Sequence, residues 1–287
     1  MKDTSIAVSL FLDREPEWTF SSGLFLNGLI SLFRASDQKA CRRAALTWLE
    51  SAVSADGGFL PAAPVSPMDA AECGKALFFA LDETGDERYQ KALDALANRV
   101  KAAPPPDTPE GLYALAPFLT EYDTRFGSKQ TYKEIAHRFK AVHQEMLDPE
   151  KGLYCKKDGL FSIRDEGFML LALTDTAEKM DMQLYEHYRI LADLLLEAVR
   201  LPYRKGTDQL FDIPGGDTER KPDYTGNIMA LSALLKGIRL GLLDEEKYRL
   251  KAMLELLYLE MCCEDVEVCH PGVWMLAQAE GKEARRC

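Results

Sequence analysis

Apolar helices alternate with charge-rich amphipathic ones along this chain, and this alternation restricts its fold. A short loop containing Gly, Pro or Asp leads into each of five apolar helices and brings a polar or charged group to its first turn. These helices begin near Ser21, Asp69, Glu110, Asp165 and Asp223. A helix that is apolar all round is buried, whereas an amphipathic helix packs on one face. The pattern predicts inner and outer helices, with the inner starts around one carboxylate-lined pocket.

The chain is predicted to be all-α. Apolar residues recur at helical spacing almost throughout, and alternating strand-like runs flanked by hairpin turns are missing. Intervals of 48, 41, 55 and 58 residues between the inner starts are too irregular for an open solenoid. We therefore expect residues 1–287 to form a single (α/α)6-barrel domain of about twelve helices. They are predicted near residues 3–13, 21–35, 38–54, 69–84, 87–102, 110–126, 129–147, 165–180, 183–200, 224–241, 245–262 and 272–284.

Local signals place several boundaries. Gly57-Gly58 and Pro104-Pro105-Pro106 interrupt helices. Asp37, Asp86 and Asp244 are expected as N-caps or first-turn acids. Residues 201–222 contain several Pro and Gly residues and are predicted to be an irregular loop of the kind that belongs to a site.

Charge and hydropathy exclude several classes of partner. The net charge of −11 disfavours binding to nucleic acid or anionic membranes. No apolar stretch approaches the ~20 residues of a membrane helix, and the N-terminus does not resemble a signal peptide. A soluble, cytoplasmic protein is expected.

The seven cysteines form an odd, irregularly spaced set and are expected to be reduced thiols. Cys262, Cys263, Cys269 and His270 lie close in sequence, but the paired spacing of a tetrahedral zinc site is absent. No metal is expected there, and the role of this cluster stays open.

Seven segments, in chain order, share a family signature. They are Trp18–Leu24, Met68–Leu77, Asp82–Tyr89, Glu110–Leu119, Gly152–Tyr154, Arg164–Phe168 and Lys236–Gly241. Together they resemble the unsaturated glucuronyl and unsaturated rhamnogalacturonyl hydrolases, glycoside hydrolase families 88 and 105. The chain looks like a divergent and shortened member.

The resemblance implies an (α/α)6 barrel and a reaction that needs neither metal nor cofactor. Family members act on the Δ4,5-unsaturated uronic acid that a polysaccharide lyase leaves at the end of an oligosaccharide. They hydrate the vinyl ether, and the resulting hemiketal falls apart to release the sugar. One carboxyl group protonates the double bond and activates water, while a second orients the sugar.

Two catalytic carboxylates carry over from the resemblance. Asp69 matches the first active-site Asp of the family, and Glu110 stands where the principal acid/base Asp is usual. Arg164 is retained and is expected to pair with a uronate carboxylate. Lys156 occupies the place of a usual His. Asp165 and Glu166 replace a neutral Gly-Asn pair, which adds negative charge to the site.

Further candidate substrate contacts lie near the starts of the inner helices. They are Trp18, Tyr113, Tyr154, Phe168, Asp223 and Tyr224. Aromatic residues at helical spacing also form cores, and acids at helix starts also serve as caps. Both alternatives remain open here. His137, His143 and His187 fall in charged outer helices and are expected at the surface.

Two rival functions remain alongside hydrolysis of unsaturated uronides. One is a catalytically impaired or repurposed relative that binds an oligosaccharide. The other is a different six-hairpin glycosidase that cleaves an ordinary glycosidic bond. The sequence names neither the sugar nor the oligomeric state.

Overall fold

The structure is a computed structural model of the 287-residue chain, and it describes residues 4–64, 66–150, 152–155, 162–204, 223–262 and 270–284. These residues contain the twelve predicted helices. The helices are α1 Thr4–Leu12, α2 Phe20–Ser36, α3 Lys39–Ala52, α4 Pro67–Thr84, α5 Glu87–Lys101, α6 Pro109–Phe126, α7 Thr131–Met146, α8 Ile163–Lys179, α9 Tyr185–Arg204, α10 Tyr224–Arg239, α11 Glu245–Cys262 and α12 Pro271–Ala284.

The chain divides into two compact units. The first comprises Met1–Pro104 and Cys263–Cys287, and the second comprises Pro105–Cys262. In each, three apolar helices pack side by side. In the first unit α2 lies between α4 and α12, and in the second α8 lies between α6 and α10. The charge-rich helices pack against these helices from one side, as α5 does on α4 and α9 on α8. The alternation seen in the sequence thus corresponds to inner and outer helices.

Glycines allow inner helices to touch backbone to backbone. A Cβ atom on Gly28 of α2 would lie 2.4 Å from the carbonyl oxygen of Gly272 in α12. In the second unit, a Cβ on Gly167 of α8 would lie 2.7 Å from the Gly226 oxygen, and one on Gly226 of α10 would lie 2.7 Å from Arg164 N. These contacts bring the starts of α8 and α10 together.

Ion pairs join the ends of the three inner helices of the second unit. Between α8 and α10, Lys236 Nζ lies 2.7 Å from Asp175 Oδ1 and 3.3 Å from Glu178 Oε2, and Arg239 Nη2 lies 2.7 Å from Glu178 Oε1. From α6, Glu121 Oε2 lies 2.9 Å from Lys179 Nζ. We call these residues the helix-end ion network. It connects all three inner helices at the ends opposite their N-caps.

The structure corrects two expectations about secondary structure. A two-stranded antiparallel hairpin follows α7, with β1 at Leu147–Asp148 and β2 at Leu153–Tyr154. This hairpin was not predicted because strands of two residues are too short to show an alternating pattern. Asp37 is the C-cap of α2, with φ of 53°, rather than the N-cap of α3.

Other boundaries follow the sequence. Asp86 caps α5 by accepting a hydrogen bond from Arg88 N, and Asp244 accepts one from Lys247 N at the start of α11. Helix α9 continues to Arg204, so the predicted irregular loop begins later than expected. Its remaining residues, 205–222, lie outside the described part of the chain.

Among the described helices, none combines the length and the apolar character that a membrane crossing requires.

Candidate active site

Asp69 joins the starts of two inner helices in the first unit. Ser66 is the N-cap of α4, and its hydroxyl accepts a hydrogen bond from Asp69 N. In return, Asp69 Oδ2 accepts hydrogen bonds from the Ser66 backbone N and hydroxyl at 3.2 and 2.6 Å. The other oxygen, Oδ1, accepts one from Phe20 N of α2 at 2.7 Å. Both carboxylate oxygens therefore take part in holding the fold.

A buried ion pair lies one turn further along α4. Glu72 is fully buried, and its Oε2 lies 2.5 Å from Lys75 Nζ. Asn27 of α2 donates from Nδ2 to Glu72 Oε1 at 2.9 Å and to the Glu72 carbonyl oxygen at 3.1 Å. This group was not predicted, although charged residues inside an apolar helix were a visible signal. The group fixes α4, and therefore Asp69, against α2.

His270, from the cysteine and histidine cluster, contacts the start of α2. Its Nδ1 accepts a hydrogen bond from Gly272 N at 3.2 Å, and its Nε2 lies 2.8 Å from Ser21 Oγ. Since Nδ1 accepts, a neutral ring carries its proton on Nε2 and donates to Ser21. The two residues border a cleft of about 640 Å³ whose walls include Phe11, Phe25 and Trp48. Cys263 and Cys269 lie outside the described residues.

Glu110 is exposed in the first turn of α6. Thr108 is the N-cap and accepts a hydrogen bond from Gly111 N at 3.2 Å, and Pro109 takes the first helical position. Proline is favoured there because that N–H has no partner within the helix. The cap thus does not use the Glu110 carboxylate.

Arg164 forms a two-pronged ion pair at the start of α8. Its Nε lies 2.9 Å from Asp223 Oδ2, and its Nη2 lies 3.1 Å from Asp223 Oδ1. Asp223 is the N-cap of α10 and also accepts a hydrogen bond from Gly226 N. The close approach of the helices at Gly167 and Gly226 makes this geometry possible. Two predicted site residues are thus brought together, with Nη1 of Arg164 outside the pair.

Glu166 is buried in the first turn of α8, with 4% of its surface exposed. Its Oε2 accepts a hydrogen bond from Tyr154 N of β2 at 3.1 Å. Burial raises the pKa of Glu166 to about 8, against the opposing effect of that N–H. The carboxyl is consequently protonated at neutral pH. Asp165, its neighbour, is half-buried in the same turn.

Tyr154 and His143 form a buried pair beside Glu166. The Tyr154 hydroxyl lies 2.7 Å from His143 Nδ1, and His143 Nε2 lies 3.3 Å from Glu197 Oε2. Burial lowers the pKa of His143, although Glu197 opposes the shift. Burial also raises the pKa of Tyr154 well above its usual value. The expectation of His143 at the surface was wrong, because it lies on the inward face of α7.

The aromatic candidates divide by burial. Trp18 is buried, donates from Nε1 to the Leu60 carbonyl oxygen at 3.1 Å, and packs edge-on against Trp48. Tyr113 of α6 and Phe168 of α8 are also buried, with ring centroids 5.4 Å apart. Their positions are those of core residues. Tyr224 is half-buried at the start of α10.

The structure brings together three pairs of predicted site residues, all in the second unit. These are Arg164 with Asp223, Glu166 with Tyr154, and Tyr113 with Phe168. Lys156 lies outside the described residues. In the parts of the chain that the structure describes, no group of three or more His, Cys, Asp or Glu residues is arranged to hold a metal ion.

Comparison with known proteins places this arrangement in a family. The profile of Glycosyl Hydrolase Family 88 matches residues 1–161, which is more than half of the chain. A family 105 glycoside hydrolase of C. acetobutylicum ATCC 824 is similar in structure, with a TM-score of 0.83 and 21% identity over 97% of both chains.

Two further structures share the fold. A family 88 glycosyl hydrolase from Bacteroides vulgatus has a TM-score of 0.77 and 12% identity over 98% of this chain and 100% of its own. The α-1,6-mannanase of Salegentibacter sp. HEL1_6 has a TM-score of 0.61 and 13% identity over 94% and 89%. The fold class is all-α, of the (α/α)6 type. By its profile match, the chain is a glycoside hydrolase that belongs to glycosyl hydrolase family 88.

Proposed function

We propose that this hydrolase releases Δ4,5-unsaturated uronic acid from lyase-generated oligosaccharides by hydrating the vinyl ether. The observation that carries the proposal is the position of Glu110. It is an exposed carboxylate in the first turn of α6, at the place of the family's acid/base residue, in a chain that belongs to family 88. Because Thr108 caps the helix, the Glu110 side chain is available for chemistry.

The proposed roles follow from the chemistry of the reaction. Glu110 transfers a proton to the double bond and activates the water that adds to it, which leaves a hemiketal that opens and releases the sugar. Asp69 orients the sugar. Its carboxylate is held by Phe20 and Ser66, so its position is fixed before substrate arrives. No metal or cofactor enters this scheme.

Arg164 is the proposed contact for the uronate carboxylate. Its Nη1 lies outside the pair with Asp223, and about half of the side chain is exposed. A guanidinium group binds a carboxylate through several parallel N–H donors. Asp223 holds the guanidinium group in place and lowers the net positive charge of this part of the site. The lower charge favours a ligand with a single carboxylate over a more highly charged one.

The test is incubation of the enzyme with unsaturated disaccharides prepared by lyases from pectin and from glycosaminoglycans. Loss of the ultraviolet absorbance of the conjugated double bond measures turnover. Asp107→Asn, which changes an exposed acid shortly before Glu110, serves as the control and is expected to behave like the wild type. Absence of decay with every disaccharide would contradict the proposal.

A second candidate is a relative that binds oligosaccharide without turnover. The contacts of Asp69 favour it, since both oxygens of this carboxylate are engaged by the fold. Calorimetry distinguishes the two functions. Binding of a sugar without double-bond loss, unaltered in Glu110→Gln, would select this candidate. Release of saturated sugar from a neutral glycoside would instead select another six-hairpin glycosidase.

Two broader expectations stay proposals. We propose a cytoplasmic location because Cys41 and Cys73 are free thiols in the described structure, as is usual in a reducing compartment. We also retain the prediction that residues 1–287 function as one domain. Gel filtration with limited proteolysis tests the latter and gives the oligomeric state.

A further inference from the structure

A carboxyl, a backbone amide, a phenol and an imidazole meet where three elements of the second unit come together. Tyr154 of β2 donates its backbone N–H to Glu166 of α8 at 3.1 Å. Its hydroxyl meets His143 Nδ1 of α7 at 2.7 Å. Glu166, Tyr154 and His143 are all buried. One residue of the hairpin is thus held from two sides, through its backbone by α8 and through its ring by α7.

The protonation states fix the direction of each hydrogen bond. His143 Nε2 faces the carboxylate of Glu197 of α9 at 3.3 Å, and a carboxylate only accepts, so a neutral His143 carries its proton on Nε2. Nδ1 is then an acceptor, and the Tyr154 phenol, which burial keeps protonated, donates to it. In this arrangement Nδ1 takes part in the hydrogen bond and Nε2 faces a carboxylate. The arrangement requires an uncharged imidazole, in agreement with the lowered pKa of His143.

Glu166 holds the hairpin as a neutral acceptor. Burial and the Tyr154 N–H determine its pKa, and no charged side chain of the described structure contributes to it. The neighbouring Arg164 is engaged elsewhere, since it pairs with Asp223 at the start of α10. On the side of α6, Tyr113 packs against Phe168 rather than Glu166. Among the described residues no cation pairs with Glu166, and a neutral carboxyl is suited to a hydrogen bond rather than to an ion pair.

We propose that Glu166 is a positioning residue that clamps the β1–β2 hairpin to the first turn of α8 and so fixes the approach to Arg164. We call the contacts of Glu166, Tyr154 and His143 the hairpin clamp. This inference replaces substrate contact as the role of Glu166, because its carboxyl is buried against the backbone of β2. The effect on turnover rests on the proposed function, whereas the clamp itself does not.

Hydrogen exchange at the Tyr154 amide tests the clamp directly. Glu166→Ala removes the acceptor and is expected to speed exchange about tenfold or more, since a buried N–H loses its partner. Glu166→Gln retains a neutral acceptor of the same length and is expected to restore protection. Glu134→Ala, an exposed change on α7, is the control.

The pH dependence separates a clamp from a merely structural contact. The open state exposes Glu166 to water with its ordinary pKa of 4.5, whereas the closed state has a pKa of about 8. Opening is therefore expected to rise up to about tenfold per pH unit between these values. The comparison is made against Glu166→Gln, which cancels the intrinsic effect of pH on exchange. Equal pH dependence in the two proteins would overturn the proposal.

Kinetics give a second readout that depends on the proposed function. With an unsaturated disaccharide, Glu166→Ala is expected to weaken binding near Arg164 more than it slows the chemical step. The fold-increase in KM should therefore exceed the fold-decrease in kcat by about tenfold. Glu166→Gln is expected to recover most of the lost kcat/KM. Turnover without any change in exchange in Glu166→Ala would refute the clamp alone. If hydrogen exchange at the Tyr154 amide changes as expected but neither the wild type nor any variant turns over the disaccharide, the proposed function alone is refuted. If Glu166→Ala does not fold, the pH dependence of exchange in the wild type compared with Glu166→Gln still tests the clamp.

Discussion

Helix α8 carries a glutamate near each end, and the two behave in opposite ways. Glu166, in the first turn, is buried beside a backbone N–H, and burial raises its pKa to about 8. Glu178, in the last turn, is also subject to burial, but Lys236, Arg239 and Lys179 outweigh it and hold the pKa of Glu178 below its ordinary range. One glutamate is neutral at pH 7 and the other is ionised.

The difference shows that partners decide what a buried carboxyl does. At the end of α8, ion pairs fasten the helix to α6 and α10. At its start, no cation in the described part of the chain pairs with Glu166, and Arg164 nearby is exposed and paired with Asp223. We infer a division of labour within α8, in which its end holds the unit together and its start positions the hairpin and carries Arg164 for binding. Four predictions test this contrast, in order of decreasing effect.

The largest effect is expected from Glu166→Gln. The pKa of Glu166 is raised from 4.5 to about 8 on folding. Its stabilising contribution is therefore full below pH 4.5 and is lost as pH rises towards 8. Between about pH 5 and about pH 9 the free energy of unfolding of the wild type should fall by about 4 kcal/mol relative to the variant. Urea unfolding at both pH values measures it, and parallel pH profiles would remove the contrast.

Lys236→Met should destabilise the helix-end ion network at the end of α8. The substitution removes the positive charge that pairs with the partly buried carboxylates of Asp175 and Glu178. The free energy of unfolding at neutral pH should fall by about 2–3 kcal/mol, and the deficit should shrink in acid as the carboxylates protonate. Lys140→Met, at an exposed position on α7, is the matched control. Equal stability of the two variants in urea would argue against a structural role for the network.

Tyr154→Phe removes one hydrogen bond of the hairpin clamp. His143 Nδ1 then loses its partner in a buried place. The free energy of unfolding should fall by about 1–2 kcal/mol, measured by thermal or urea unfolding. Tyr185→Phe, which changes an exposed tyrosine, should have no measurable effect, and an equal loss in both variants would contradict the buried hydrogen bond.

The smallest effect on stability is expected from Arg164→Gln. Its pair with Asp223 is largely exposed, and exposed pairs contribute about 1 kcal/mol or less. Binding should change more, with KM for an unsaturated disaccharide rising about tenfold. Arg42→Gln breaks a comparable exposed pair with Glu83 and should leave KM unaltered. A large loss of stability with unaltered KM would assign Arg164 to the fold instead of the site.

The fold could be predicted from the sequence because burial leaves a periodic pattern. All twelve helices were predicted from apolar spacing and from the Gly and Pro residues that interrupt them. The prediction of Asp37 as an N-cap was wrong because a polar residue between two helices can end the first or begin the second. Only its φ of 53° shows that it ends α2. The hairpin after α7 was missed because its strands have two residues each.

The site was harder to predict because burial and partners depend on contacts that are distant in sequence. His143 reads as a surface residue in a charged helix, yet it meets Tyr154 in the interior. Trp18 lies just before a helix start, where a substrate contact was expected, but its indole N–H donates to the backbone carbonyl of Leu60. The resemblance supplied Asp69 and Glu110, whereas only the structure shows that one is held by the fold and the other is exposed.

The central claim is that the starts of the inner helices carry the chemistry, with Glu110 as the acid/base residue. The most direct measurement is the kcat of Glu110→Gln against wild type on an unsaturated disaccharide that the wild type turns over. The account predicts a loss of about 10²–10⁴-fold, with the free energy of unfolding nearly unaltered because the side chain is exposed. A kcat within about twofold of the wild type would contradict it.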